Sequence, residues 1–125
     1  MTIFDELRRL PELEAVGQAL VQFTRSLHPG DFVAEGKRWV YEPNFVTFTI
    51  QWQRAHSIAV TVRGYAFEFP DFPVLKLEKD RGGYSIFRIE SPRQLAAAAV
   101  FIERAHELAL RGAARPVKRV VVKEE

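Results

Sequence analysis

Residues 68–80 read EFPDFPVLKLEKD, and Asp71, Glu78 and Lys79 within them are the side-chain types of a magnesium-dependent nuclease. In such a site two carboxylates from adjacent strands hold the metal and a lysine helps to position the attacking water. The spacing argues against that chemistry. Glu78 and Lys79 are adjacent, so in a strand they point to opposite faces. Lys76 and Glu78 share a face, but in the reversed order, and Pro73 leaves little room for two paired strands between Asp71 and Glu78. The stretch reads instead as a stiff, proline-bounded turn followed by a charged edge strand. A metal-dependent nuclease using Asp71 and Glu78 is the last of the functional readings.

No other cluster supplies a reaction centre. Glu103 and His106 have the Glu-x-x-His spacing of half a di-iron site. The other half is missing, because the first predicted helix offers Glu12 and Glu14 and no histidine before His28. Glu103 therefore reads as a solvated acid and His106 as a partly packed ring. His28, His56 and His106 are too scattered for a zinc site. Ser57 and Ser85 have no histidine partner suggested by position. Gly82-Gly83 is a turn with no helix directly after it, unlike a phosphate-binding loop. No catalytic residue, metal or cofactor is assigned.

The remaining feature is a surface. Arg63, Tyr84 and Arg88 fall on the polar side of predicted strands, with Trp39, Tyr41, Lys37, Arg38 and Arg54 nearby in some strand orders. Aromatic and arginine side chains on a sheet can stack bases and meet phosphates. Two other readings compete. Threonine and arginine can simply solvate the back of a sheet, or that face or the C-terminal tail can join two copies of the chain.

These side chains need elements to hold them. Leu13, Val16, Leu20, Phe23 and Leu27 recur at helical spacing and predict a helix within residues 1–30, with Pro11 offsetting a short leading turn. The period then becomes two. Val46, Phe48, Ile50 and Trp52 alternate with Thr47, Thr49, Gln51 and Gln53, and Ile58, Val60 and Val62 alternate with Ser57, Ala59, Thr61 and Arg63. Alternation of this kind predicts an antiparallel sheet with one covered face. Further strands are predicted at 65–69, with Tyr65, Phe67 and Phe69 on one side, and at 84–89, and shorter ones at 38–42 and 74–78. Ser91, Pro92 and Gln94 form a helix start of N-cap, first-turn proline and capping box. That helix is predicted to bury Leu95, Ala98, Ile102, Ala105 and Ala109 and to stop at Gly112. The fold class is α+β: an antiparallel meander of about four to five strands (37–90), with the N-terminal helix (1–30) and the C-terminal helix (91–112) on one face. A tail or edge strand (113–125) completes a single domain.

Composition bounds the rest. The chain has 125 residues, which suits one domain, and no cysteine, which excludes disulfides and thiolate metal sites. No apolar run approaches the ~20 residues that cross a bilayer, and the first residues lack the apolar core of a signal peptide. A cytoplasmic protein with no membrane partner is expected. Arginine supplies 13 of the 18 basic residues, pointing to a high-GC or thermophilic bacterial source. The net charge is only +2, so the basic pI near 9.2 is not by itself a nucleic-acid signature.

Residues 83–108, GYSIFRIESPRQLAAAAVFIERAHEL, together with VTFTI and IAVTV upstream, resemble a small prokaryotic family of unknown function. Its members are sometimes labelled predicted transport proteins and also occur fused to restriction-like nucleases. The resemblance covers roughly residues 40–108 and implies an α-β-β-β-α layout with no established catalytic residues. The sequence thus favours a non-catalytic interaction domain that forms a homodimer. The alternative is a nucleic-acid-associated module of a defence or restriction system.

Overall fold

The computed structural model describes residues 1–114, so the expected tail or edge strand lies outside the described residues from position 115 on. Thr2 starts a short helix, α1 (Ile3–Leu7), its hydroxyl accepting from the Asp5 amide while the Asp5 carboxylate accepts from the Thr2 amide at 2.7 Å. Pro11 opens one 3-10 turn (Pro11–Leu13), which delivers the chain into α2 (Glu14–Leu27). Val16, Gly17, Leu20, Val21 and Thr24 form the buried stripe of α2. Gly17 is needed at the crossing point: a Cβ there would come within 2.4 Å of Leu7 on α1 and 3.2 Å of Ile58 on the sheet.

Six antiparallel strands follow, where the sequence predicts four to five. They are β1 (Asp31–Glu35), β2 (Arg38–Glu42), β3 (Val46–Gln51), β4 (Ser57–Arg63), β5 (Glu78–Lys79) and β6 (Tyr84–Ile89), in the order β1-β2-β3-β4-β6-β5. β1 carries one buried residue, Phe32, so alternation gives almost no signal there. The strand expected at 74–78 shrinks to the two residues of β5.

Register separates the two faces. Trp39, Phe48, Val60 and Phe87 lie opposite one another in a row across four strands, and all are buried. With Tyr41, Val46, Ile50, Ile58, Val62 and Ile89 they join one core with Leu20 of α2 and with Phe101 and Ile102 of the last helix. A fully buried side chain of this size contributes about 1.5–3 kcal/mol, so this face dominates stability. On the reverse face Val33, Val40, Thr47, Thr61, Ile86 and Glu78 form a continuous row across all six strands.

Between β4 and β6 the chain departs from expectation. Residues 65–69 are not a strand but a 3-10 turn (Ala66–Glu68) with flanking extended residues. β3 begins at Val46, opposite Val62, and β6 begins at Tyr84, opposite Arg63, so a continuation beyond Gly64 has no neighbouring strand to pair with. The side chains split accordingly: Phe69 turns in against Phe101, while Phe67 is 84% exposed and stacks on the exposed Tyr65.

The Ser91 capping box forms, with Gln94 Oε1 accepting from the Ser91 and Glu90 amides. It leads through a 3-10 turn (Pro92–Gln94) into α3 (Leu95–Ala114). Ala97, Ala98, Phe101, Ile102 and Ala105 are buried, and α3 packs on α2 and β4. The helix runs past Gly112, which stays helical, at a cost of roughly 1 kcal/mol relative to alanine. Among the described residues no helix is long and apolar enough to cross a membrane.

Candidate functional site

Of the concave surfaces that carry charged side chains, two have volumes near 500 Å³. The first is a cleft of about 500 Å³ at the end of the sheet where the β1–β2 and β3–β4 turns lie. Lys37 enters it from the β1–β2 turn, Thr49 to Ala55 from β3 and its hairpin, and Glu6 and Arg9 from α1 and the residues after it. Three of its side chains are cations: Arg9, Lys37 and Arg54. Among the described residues none of the three forms an ion pair. The cleft's one carboxylate, Glu6, is occupied, accepting from the Trp39 indole Nε1 at 2.6 Å. Trp52 is half-buried against the core edge, and the Arg9 guanidinium lies 4.7 Å from its ring centroid.

The second is a groove of about 470 Å³ on the outer sheet face. Val40, Thr47 and Thr61 floor it, Tyr84 lies at one side, and the β5–β6 turn (Asp80, Arg81, Gly82) borders it. Both signs of charge are present: Glu35, Glu42 and Asp80 against Arg38 and Arg81. Arg38 is already paired with Glu35 at 2.9 Å.

The residues singled out from sequence do not converge on one surface. Tyr84 and Arg88 are on the outer face, opposite Arg63 and Ala59 respectively. Arg63 belongs to that face by register, but its guanidinium reaches round to α3, 3.5 Å from where a Cβ of Gly112 would sit. Trp39 and Tyr41 are not on the outer face at all. They are 6% and 0% exposed on the inner face, because Trp39 is in register with Phe48. Arg54 lies in the end cleft. Trp52, expected inside with Ile50, falls past the end of β3 in the turn and lines the cleft. Arg9 was not anticipated. No local spacing joins positions 9, 37, 52 and 54, although the Gln-Trp-Gln-Arg run at the hairpin tip is a visible polar-aromatic signal.

The nuclease reading finds no geometry. Asp71 is exposed in a shallow site beside Lys76, whereas Glu78 is on β5 opposite Ile86, with Lys76 Nζ at 3.7 Å. Among the described residues no group of three His, Asp or Glu could hold a metal. Glu103 is exposed, and His106 meets His28 instead, Nε2 to Nδ1 at 3.1 Å. Burial and the neighbouring His28 push the His106 pKa below its ordinary value. The Arg25 hydrogen bond at 2.6 Å lowers that of Asp31, and burial raises that of Tyr41, whose hydroxyl donates to the His28 carbonyl.

Comparison of the chain with protein-family models, with curated proteins and with solved structures gives no match.

Proposed function

We propose that this chain is a non-catalytic binding domain that associates with nucleic acid through the end cleft. The observation that carries the reading is the charge imbalance there: among the described residues Arg9, Lys37 and Arg54 form no ion pair, and the cleft lining sets only the Glu6 carboxylate, held by Trp39 Nε1, against them. Cations left unpaired beside an aromatic ring supply the phosphate and base terms of nucleic-acid affinity together. The overall charge of +2 fits a local footprint rather than a general polyanion binder.

A salt titration of oligonucleotide binding tests the reading. Three phosphate contacts to a single strand give a slope of log affinity on log salt of about −2, or roughly a 20-fold loss between 50 and 200 mM. Arg54→Gln and Lys37→Gln should each reduce that slope by about 0.7. Absence of affinity at low salt would remove the proposal.

Self-association is the second reading, and the outer groove favours it. A surface that carries both signs, as Glu42 and Asp80 do beside Arg81, can meet a copy of itself in a two-fold contact. Five strand spacings of ~4.8 Å by about 17 Å give a footprint near 400 Å², roughly half the ~800 Å² per partner of a stable interface. A homodimer through this face is therefore weak, and light scattering should show mass rising with concentration. A constant monomer mass at high concentration would dismiss it.

A further inference from the structure

The end cleft is built around a ring face as well as around charge. Trp52 sits at the tip of the β3–β4 hairpin, half-buried, with Arg9 layered over it at 4.7 Å and Arg54 two residues on. We propose that the ligand of this cleft is an unpaired strand, one base of which stacks on the Trp52 face that Arg9 covers, the displaced guanidinium joining Lys37 and Arg54 on the flanking phosphates; this rests on the nucleic-acid reading above.

Strandedness follows from which part of a base each structure exposes. In a duplex the faces of every base are covered by its neighbours, and only the edges reach the grooves. A ring face can meet another ring face only where the base is unstacked. A duplex would have to recognise the cleft through its phosphates alone, and Trp52 would contribute nothing.

Alternative sources of phosphate fit less well. Membrane lipid would require apolar side chains around the cations. The exposed large apolar residues, among them Val33, Tyr65, Phe67 and Leu110, do not line the cleft. A free mononucleotide presents its phosphate at one point, which suits donors that converge on one place. Here the cations stand on exposed side chains from three separate segments, an arrangement suited to a ligand that extends past the cleft on both sides.

The test uses the full chain and four probes: a single strand of about twelve nucleotides, its duplex, the same strand made abasic throughout, and a mononucleotide. The base-bearing single strand is expected to bind at least about 10-fold more tightly than the duplex or the abasic strand, with quenching of tryptophan fluorescence. Trp39 is buried, so Trp52 is the reporter. Trp52→Leu should cost about 5- to 100-fold on the base-bearing strand, leave the abasic strand within about twofold, and abolish the quench. Trp52→Phe, which keeps a stacking ring, should restore most of the affinity and guards against a folding defect in the leucine variant. Equal affinity for single strand and duplex, or fluorescence that does not move, overturns stacking while leaving phosphate binding intact. A mononucleotide that binds as tightly as the strand overturns the extended ligand. Failure of every probe at low salt takes down the nucleic-acid reading itself.

Discussion

The end cleft and the outer groove are of similar volume, about 500 and 470 Å³, and both are lined with arginine, yet they are electrostatically different objects. In the groove two arginines face three carboxylates, and Arg38 is tied to Glu35. In the cleft three cations face one carboxylate, and that one is pinned by Trp39. The groove lining is thus net negative, whereas the cleft lining is net positive and its cations form no ion pair among the described residues. Counting arginines on a surface therefore does not find an anion site; counting the unneutralised ones does.

The largest expected effect breaks the comparison if it fails. Lys37→Glu with Arg54→Glu turns the cleft from three cations against one acid to one cation against three acids, and should lower oligonucleotide affinity by more than about 20-fold at low salt. The matching double reversal in the groove, Arg38→Glu with Arg81→Glu, should leave affinity within about threefold, because phosphate is already unwelcome there. Fluorescence anisotropy on both variants, with circular dichroism to confirm folding, decides. Equal losses would mean that the two surfaces act as one field and that the cleft is not a site.

The sequence carried the inner face of the sheet well and its outer face poorly, for a physical reason. Alternation at Val46 to Ile50 and at Ile58 to Val62 records burial, which is a local property of each strand, and both runs are buried as expected. The Ser91–Gln94 cap is also local, and it forms. Trp39 and Tyr41, expected near the outer face only in some strand orders, face inward because facing is set by register against β3, which no spacing within β2 reveals. Residues 65–69 alternate like a strand, but the partners of β4 on both sides stop level with Val62 and Arg63. The cleft was least legible of all, since Arg9 and Trp52 meet only after α1 has packed against the sheet.

A smaller effect sharpens the contrast from the acid side. Glu6→Gln removes the cleft's one carboxylate, while the amide oxygen still accepts from Trp39 Nε1, so the fold should be unchanged. Removing one unit charge near solvent is worth about 0.5–1 kcal/mol, and oligonucleotide affinity should rise about two- to fivefold. The same change at Glu42 in the groove should produce no measurable gain. A rise at Glu42 equal to that at Glu6 would show that only net charge matters.

The smallest effect separates binding from stability by pH. His28 Nδ1 and His106 Nε2 are 3.1 Å apart while their ring centroids are 5.3 Å apart, so the two nitrogens face one another in a hydrogen bond that ties the end of α2 to α3. Phe45 packs on His106, Glu103 and Glu107 on α3 raise its pKa, and burial and His28 lower it by more. A histidine whose folded pKa is depressed binds fewer protons folded than unfolded. Its contribution is therefore complete above the ordinary value of 6.5 and is lost as pH falls from there toward the lowered folded value. Among the described residues that line the cleft there is no histidine. Between about pH 7.5 and 5.5 thermal stability should fall while oligonucleotide affinity, measured well below the unfolding temperature, stays flat. His106→Gln should flatten the stability profile, since it leaves nothing at that position to titrate. If the variant keeps the wild-type slope, the titrating group is elsewhere; if affinity falls in step with stability, the cleft is coupled to the helix pair and the two regions are not independent.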